Sequence, residues 1–189
     1  MSSKLAKLAA AYKQHLTVPW QEGVAAIQRV IFAVYDKSDE LRLRSNIDEF
    51  ELLTQQAGRH WILLDLTNAF PKWMAAQEYR DAYFESPDDL AGYQTGELSE
   101  FATELTEKLR AEIAAKATPN TVVAILGVGA LFGLARVSSI VERINESVQG
   151  RLLVFFPGEY QPENHTYRLL DARDGWNYLA VPLTSKDFS

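Results

Sequence analysis

RVIFAVY (29–35) and HWILLDL (60–66) are the stretches on which the fold turns. Short, almost unbroken apolar runs of this kind read as strands covered on both faces. The residues from Asp36 to Asp39 supply capping chemistry, and Leu41, Ile47, Phe50, Leu52 and Leu53 then recur at helical spacing. Gly58 stands where a left-handed residue closes a helix. Strand, helix and strand in succession make a crossover unit, which joins parallel strands.

Moving outward, TVVAILGV (121–128) and RLLVFF (151–156) read as two more buried strands, the last stopped by Pro157 and Gly158. Helical periodicity is expected over 69–85, over 97–117 ahead of Pro119, and over 131–148. TYRLLD (166–171) and NYLAVPL (177–183) are split by ARDGW and read as an antiparallel pair. Upstream, Leu5, Leu8, Ala9, Tyr12 and Leu16 form the apolar stripe of an amphipathic helix. The expected architecture is one α/β domain over residues 1–189. It is a three-layer sandwich with a mainly parallel central sheet flanked by helices and an antiparallel C-terminal hairpin. The amphipathic helix occupies 1–17, the crossover core 28–158 and the hairpin 165–184.

Composition narrows the chemistry. The 189 residues include no cysteine, so disulfides and thiolate metal sites are excluded and a cytoplasmic setting is expected. Lys4, Lys7, Lys13 and His15 interrupt the N-terminal segment, and no run reaches the roughly 20 apolar residues of a membrane span. The net charge of −6 is concentrated between Glu78 and Glu112, where ten carboxylates face three bases and the rest of the chain is nearly neutral. Such a face repels phosphate backbones, so direct nucleic-acid binding is not expected.

LGVGALFGLA (126–135) places Gly127, Gly129 and Gly133 between a strand and a helix, where backbone amides can hold a phosphate. No Lys-Ser or Lys-Thr follows, and the spacing is not that of a dinucleotide loop. The other reading is close helix–strand packing. Asp36, Asp65 and Asp171 stand at or near strand ends and would suit magnesium if they met, as in a nuclease, but Asp36 and Asp65 are equally placed as caps. His15, His60 and His165 share no pattern, no catalytic motif is present, and no cofactor or metal is expected.

Two surfaces suit a protein partner. On a continuous helix over 69–85, Phe70, Trp73, Met74 and Phe84 share one face while Tyr79 and Tyr83 point nearly opposite. That second face is either buried within the domain or meets a partner. Asp171, Arg173, Asp174, Gly175 and Trp176 crowd one turn, either stapling the last hairpin to the sheet or gripping a partner.

WMAAQEYRDAYFE (73–85), GVGALFGLARVS (127–138), GRLLVFFPGEY (150–160) and TYRLLDARDGWNYLAVPL (166–183) resemble the BrxB family of bacterial BREX phage-defence systems. The resemblance extends from the first strand to Leu183 and is most specific at the C-terminal block. It implies a cytoplasmic component of an assembly that methylates host DNA and blocks phage replication. The family carries no established catalytic residues. Its sister components are a methyltransferase, a large ATPase and PglZ, which has an alkaline-phosphatase-like domain. The resemblance therefore suggests a non-enzymatic assembly subunit with other BREX components as partners, PglZ first. The alternatives are a nucleotide-responsive regulator on an ATPase-like fold without a P-loop, and a magnesium-dependent nuclease.

Overall fold

The computed structural model describes residues 3–20, 23–90, 96–172 and 175–186. Five parallel strands form the central sheet: β1 (Val30–Tyr35), β2 (His60–Asp65), β3 (Thr121–Leu126), β4 (Arg151–Gln161) and β7 (Val181–Leu183). Their spatial order is β2-β3-β4-β1-β7. Side chains alternate across a strand, so each strand feeds two cores. Ile31, Ala33, Leu153 and Phe155 face α1 (Ser3–Thr17), α2 (Glu40–Ser45) and α3 (Ile47–Gln56). Phe32, Val34, Val154 and Phe156 face α4 (Ala69–Ala76), α6 (Glu97–Lys116) and α7 (Val137–Asn145). Two helical layers around a mainly parallel sheet make the three-layer α/β sandwich that the sequence leads one to expect.

Helix α1 buries Leu5, Leu8, Ala9, Tyr12 and Leu16, the stripe seen in the sequence. Helix α6 likewise buries Phe101, Leu105, Leu109 and Ile113 at spacings of four, leaving Glu100, Glu104 and Glu107 to solvent. Gly58 closes the segment after α3 at φ +72°. No helix among the described residues is long and apolar enough to cross a membrane.

Five local expectations change. Strand β2, read as covered on both faces, is the outer strand of the sheet, with only Leu64 buried and Leu63 exposed. Pro157 and Gly158 do not stop β4; they switch its partner. Up to Pro157 the strand pairs with β1, and from Gly158 it pairs antiparallel with β5 (Thr166–Leu169). Pro157 offers only a carbonyl, which accepts from Leu170 N at 2.9 Å. A Cβ at Gly158 would overlap the Arg168 carbonyl, so the switch needs glycine.

The 177–183 run is not one strand. Strand β6 (Trp176–Asn177) pairs antiparallel with β5, as expected, but β7 crosses to lie parallel beside β1. The crossing is held by burial of Tyr178 and Ala180 and by Tyr167 Oη donating to Ala180 O at 3.1 Å. Pro182 then sits on an outer strand, where a missing donor is tolerated.

The 69–85 segment is two helices, α4 and α5 (Arg80–Glu85), separated at Gln77–Tyr79. The break resets the angular phase. Trp73 and Met74 are buried as expected, but Phe84 leaves their face and is 70% exposed, while Tyr83 packs half-buried against the core, the internal alternative for the tyrosine face. Finally, the 131–148 segment opens with a 3-10 turn over Val128–Leu131, and α7 begins only at Val137, after Gly133 at φ +79°.

Candidate functional site

Ligands of open α/β sheets bind outside the carboxyl ends of the strands, and three aspartates and the glycine loop singled out in the sequence stand at or after strand ends. Asp36 follows β1, Asp65 ends β2, Gly127 follows β3 and Asp171 follows β5. The three aspartates do not converge; each is engaged with partners of its own. Asp36 caps the turn after β1, accepting from Ser38 N at 2.9 Å and Ser38 Oγ at 2.6 Å, with Lys4 4.0 Å away. Those hydrogen bonds hold its carboxyl below the ordinary value. Asp171 pairs with Lys37, tying the segment after β5 to the turn after β1. Among the described residues no three histidines or carboxylates are placed to hold a metal ion.

Asp65 belongs to a network centred on Arg44 of α2, which sequence reasoning missed. Arg44 Nε donates to Glu40 Oε1 at 2.7 Å, Nη1 to Asp65 Oδ2 at 3.2 Å and Nη2 to Thr67 Oγ1 at 2.6 Å. Thr67 N donates to Asp65 Oδ1 at 2.9 Å and its hydroxyl donates there too, while Tyr35 Oη donates to Glu40. Burial pushes the Asp65 carboxyl up, but the Thr67 hydrogen bonds and the Arg44 charge outweigh it and hold it below the ordinary value. Burial, reinforced by Glu40, pushes the Tyr35 phenol far up. The signal available in the sequence was Glu40 and Arg44 at a helical spacing of four, the first helical pair after a strand.

The glycine loop closes onto this network. A Cβ at Gly127, whose φ is +83°, would stand 2.8 Å from Thr67 N and 2.9 Å from Asp65 Oδ1. A Cβ at Gly129 would stand 3.2 Å from Pro157 Cγ and 3.7 Å from Leu170 Cδ2. Gly133 has nothing within 4 Å of that position. Gly127 and Gly129 thus permit close packing, and the carboxylate beside Gly127 would repel a phosphate.

Beside this packed region lies a cleft of about 700 Å³ between α1, the end of β1, the extension of β4 and the segment after β7. Lys4 and Lys186 line it together with Asp36, Asp39, Glu159 and Tyr160. Asp39 is buried and paired with Arg42 at 2.9 Å.

A family model described as BREX protein BrxB matches residues 62–183, more than half of the chain. The chain belongs to the BrxB family. The four stretches that carry the resemblance all lie inside the matched span, whereas α1 and β1 lie outside it. Membership makes this BrxB chain a component of a BREX phage-defence system. No curated protein and no solved structure matches the chain.

In this BrxB chain the proposed contact residues separate. Tyr79, at the start of α5, is 66% exposed. Tyr83 is half-buried against the core. Trp176 is half-buried as well, and its ring meets Phe32 at 5.6 Å, Tyr178 at 5.7 Å and Tyr167 at 5.8 Å between centroids. Phe32 anchors that cluster, stacked with Phe156 at 5.4 Å and Tyr178 at 5.5 Å. Arg173 and Asp174 lie outside the described residues.

Proposed function

We propose that this chain is a non-enzymatic, cytoplasmic interaction subunit of a BREX assembly, with PglZ as its first partner. The observation that carries the reading is the exposed aromatic pair Tyr79 and Phe84 on the short α5, at 66% and 70% exposure. Large aromatic rings left to solvent on a folded domain are the composition of interface anchors. Family membership supports the setting, and the internal pairing of Asp36, Asp65 and Asp171 supports a role for these acids in stability.

Co-expression of the tagged chain with the other BREX components tests this. The chain is expected to retain PglZ, and a Tyr79→Ala/Phe84→Ala double variant that still folds is expected to lose it. A wild-type chain that retains no BREX component overturns the reading. If the double variant, Tyr83→Ala and Trp176→Ala all fold and keep every partner, the surface is elsewhere.

A second reading, a nucleotide-responsive regulator, rests on the position of the cleft at the carboxyl edge, where two lysines stand among four carboxylates. Calorimetry with ATP, GTP and NAD tests it. Heat that disappears in a Lys4→Ala/Lys186→Ala variant supports this reading, and no heat at millimolar ligand removes it.

A further inference from the structure

Among the described residues, the opposite, amino edge of the sheet collects three arginines that have no carboxylate partner. Arg29 precedes β1, Arg59 precedes β2 and Arg151 opens β4. Because Val30 pairs with Leu152, Arg29 stands opposite Arg151 on the neighbouring strand. Like charges directly opposite repel. The Arg59 and Arg151 guanidinium carbons lie 4.0 and 4.7 Å from the centroid of the Trp20 ring, which gathers both onto one aromatic platform.

Their hydrogen bonds go to neutral oxygens. Arg29 Nη1 donates to Gln149 O at 3.2 Å, Arg151 Nη1 to Gly150 O at 3.3 Å, and Arg59 Nη1 to Asn120 Oδ1. Arg29 Nε, Arg59 Nε and Trp20 Nε1 are buried donors with no acceptor among the described residues. None of the three arginines has an ion pair there, although the acids outnumber the bases by 25 to 19 over the chain. Burial and the charges of Arg29 and Arg59 hold Arg151 below its ordinary pKa, and burial with the Arg151 charge holds His15 down.

We propose that this edge, formed by Arg29, Arg59, Arg151 and Trp20, binds a carboxylate-rich segment of a partner protein. Guanidinium forks match carboxylates bidentately, and tryptophan and arginine together are the commonest anchors of protein interfaces. Three features favour protein carboxylates over a nucleic-acid backbone. The chain carries a net charge of −6, which opposes approach to an extended polyanion. The arginines are confined to the starts of three strands and do not run as a stripe along a groove. The Trp20 ring already carries guanidinium groups where a base would stack. The proposal rests on the reading of the chain as an interaction subunit and adds a second contact surface, remote in sequence from α5.

A fluorescein-labelled octaglutamate peptide is the probe, followed by anisotropy, with labelled octathymidylate and inorganic pyrophosphate as parallel arms. The peptide is expected to bind, and an Arg59→Gln/Arg151→Gln variant to bind it at least about tenfold more weakly, as loss of interface arginines does. Removing mutual repulsion is expected to leave the melting temperature equal or raised; should that variant fail to fold, Arg29→Gln serves in its place. No peptide binding, or unchanged binding in the folded variants, overturns the proposal, and so does tighter binding of octathymidylate or pyrophosphate than of the peptide. Co-expression separates this site from the broader reading. If the wild-type chain retains a BREX partner and the arginine variants retain it equally, the edge is wrong and the interaction reading stands. If the wild type retains none, the broader reading fails.

Discussion

Gly127 and Thr67 approach so closely that a Cβ at position 127 would stand 2.6 Å from Thr67 Oγ1. The contact joins the turn after β3 to the turn after β2, and it explains a glycine that otherwise invites a phosphate. Gly127→Ala combines a strained left-handed backbone at φ +83° with an overlap against a hydrogen-bonded turn, and is expected to cost about 2–4 kcal/mol. Gly133→Ala shares the strain, at φ +79°, but meets no neighbour, and is expected to cost only about 1–2 kcal/mol. Urea denaturation of the two variants checks the difference. Equal losses would mean that the Thr67 contact relaxes freely.

Arg44 sets the acid limit of this region. The Asp65 carboxyl is held below its ordinary value of 3.8, so its contribution to stability is complete above that value and fades as pH falls through the depressed one. Arg44→Met removes the charge but leaves the Thr67 hydrogen bonds. The variant is expected to lose about 1 kcal/mol at neutral pH, a modest figure because Asp65 is half open to solvent. Its stability is also expected to fall less steeply than the wild type's below about pH 4. Denaturation midpoints measured from pH 7 down to pH 3 test both parts. Parallel pH curves for the two proteins would exclude the Arg44 charge as the cause.

The central strands were legible because burial on both faces leaves continuous apolar runs; all six residues of β1 and of β3 are buried. Breaks were less legible. The Gln77–Tyr79 interruption carries no proline or glycine, so nothing local marks it, and Phe84 left the buried face assigned to it. Pro157 and Gly158 do carry a signal, but a strand stop and a change of strand partner use the same residues. The Arg44 network and the arginine edge join residues from separate strands and helices. A sequence without strand order cannot bring Arg29 opposite Arg151.

The structure separates two aromatic residues that the sequence grouped as contact surface. Trp176 lies half-buried in the ring cluster around Phe32, and Trp176→Ala is expected to destabilise the fold by about 2–4 kcal/mol, toward the lower end of what a fully buried indole costs. Tyr79 is 66% exposed, and Tyr79→Ala is expected to stay within about 0.5 kcal/mol of wild type while weakening partner retention. Thermal denaturation beside co-purification distinguishes them. A stable Trp176→Ala protein that loses its partner would return Trp176 to the interface.

A buried hydroxyl pair between α1 and α3 gives a test of how the N-terminal helix is held. Tyr12 and Thr54 are both fully buried, and their hydroxyls lie 2.6 Å apart. Thr54 Oγ1 has one hydrogen and gives it to Phe50 O at 2.7 Å, so the Tyr12 hydroxyl must donate to Thr54. Burial accordingly pushes the Tyr12 phenol well up. The two deletions are therefore unequal. Tyr12→Phe leaves only a spare lone pair on Thr54 and is expected to cost about 1 kcal/mol. Thr54→Val strands a buried phenolic donor and is expected to cost about 2–3 kcal/mol. Adding Tyr12→Phe to Thr54→Val removes the stranded donor, so the double variant is expected to be more stable than Thr54→Val alone. A double-mutant cycle by urea denaturation reads this directly, and strictly additive losses would show that the two hydroxyls do not depend on each other.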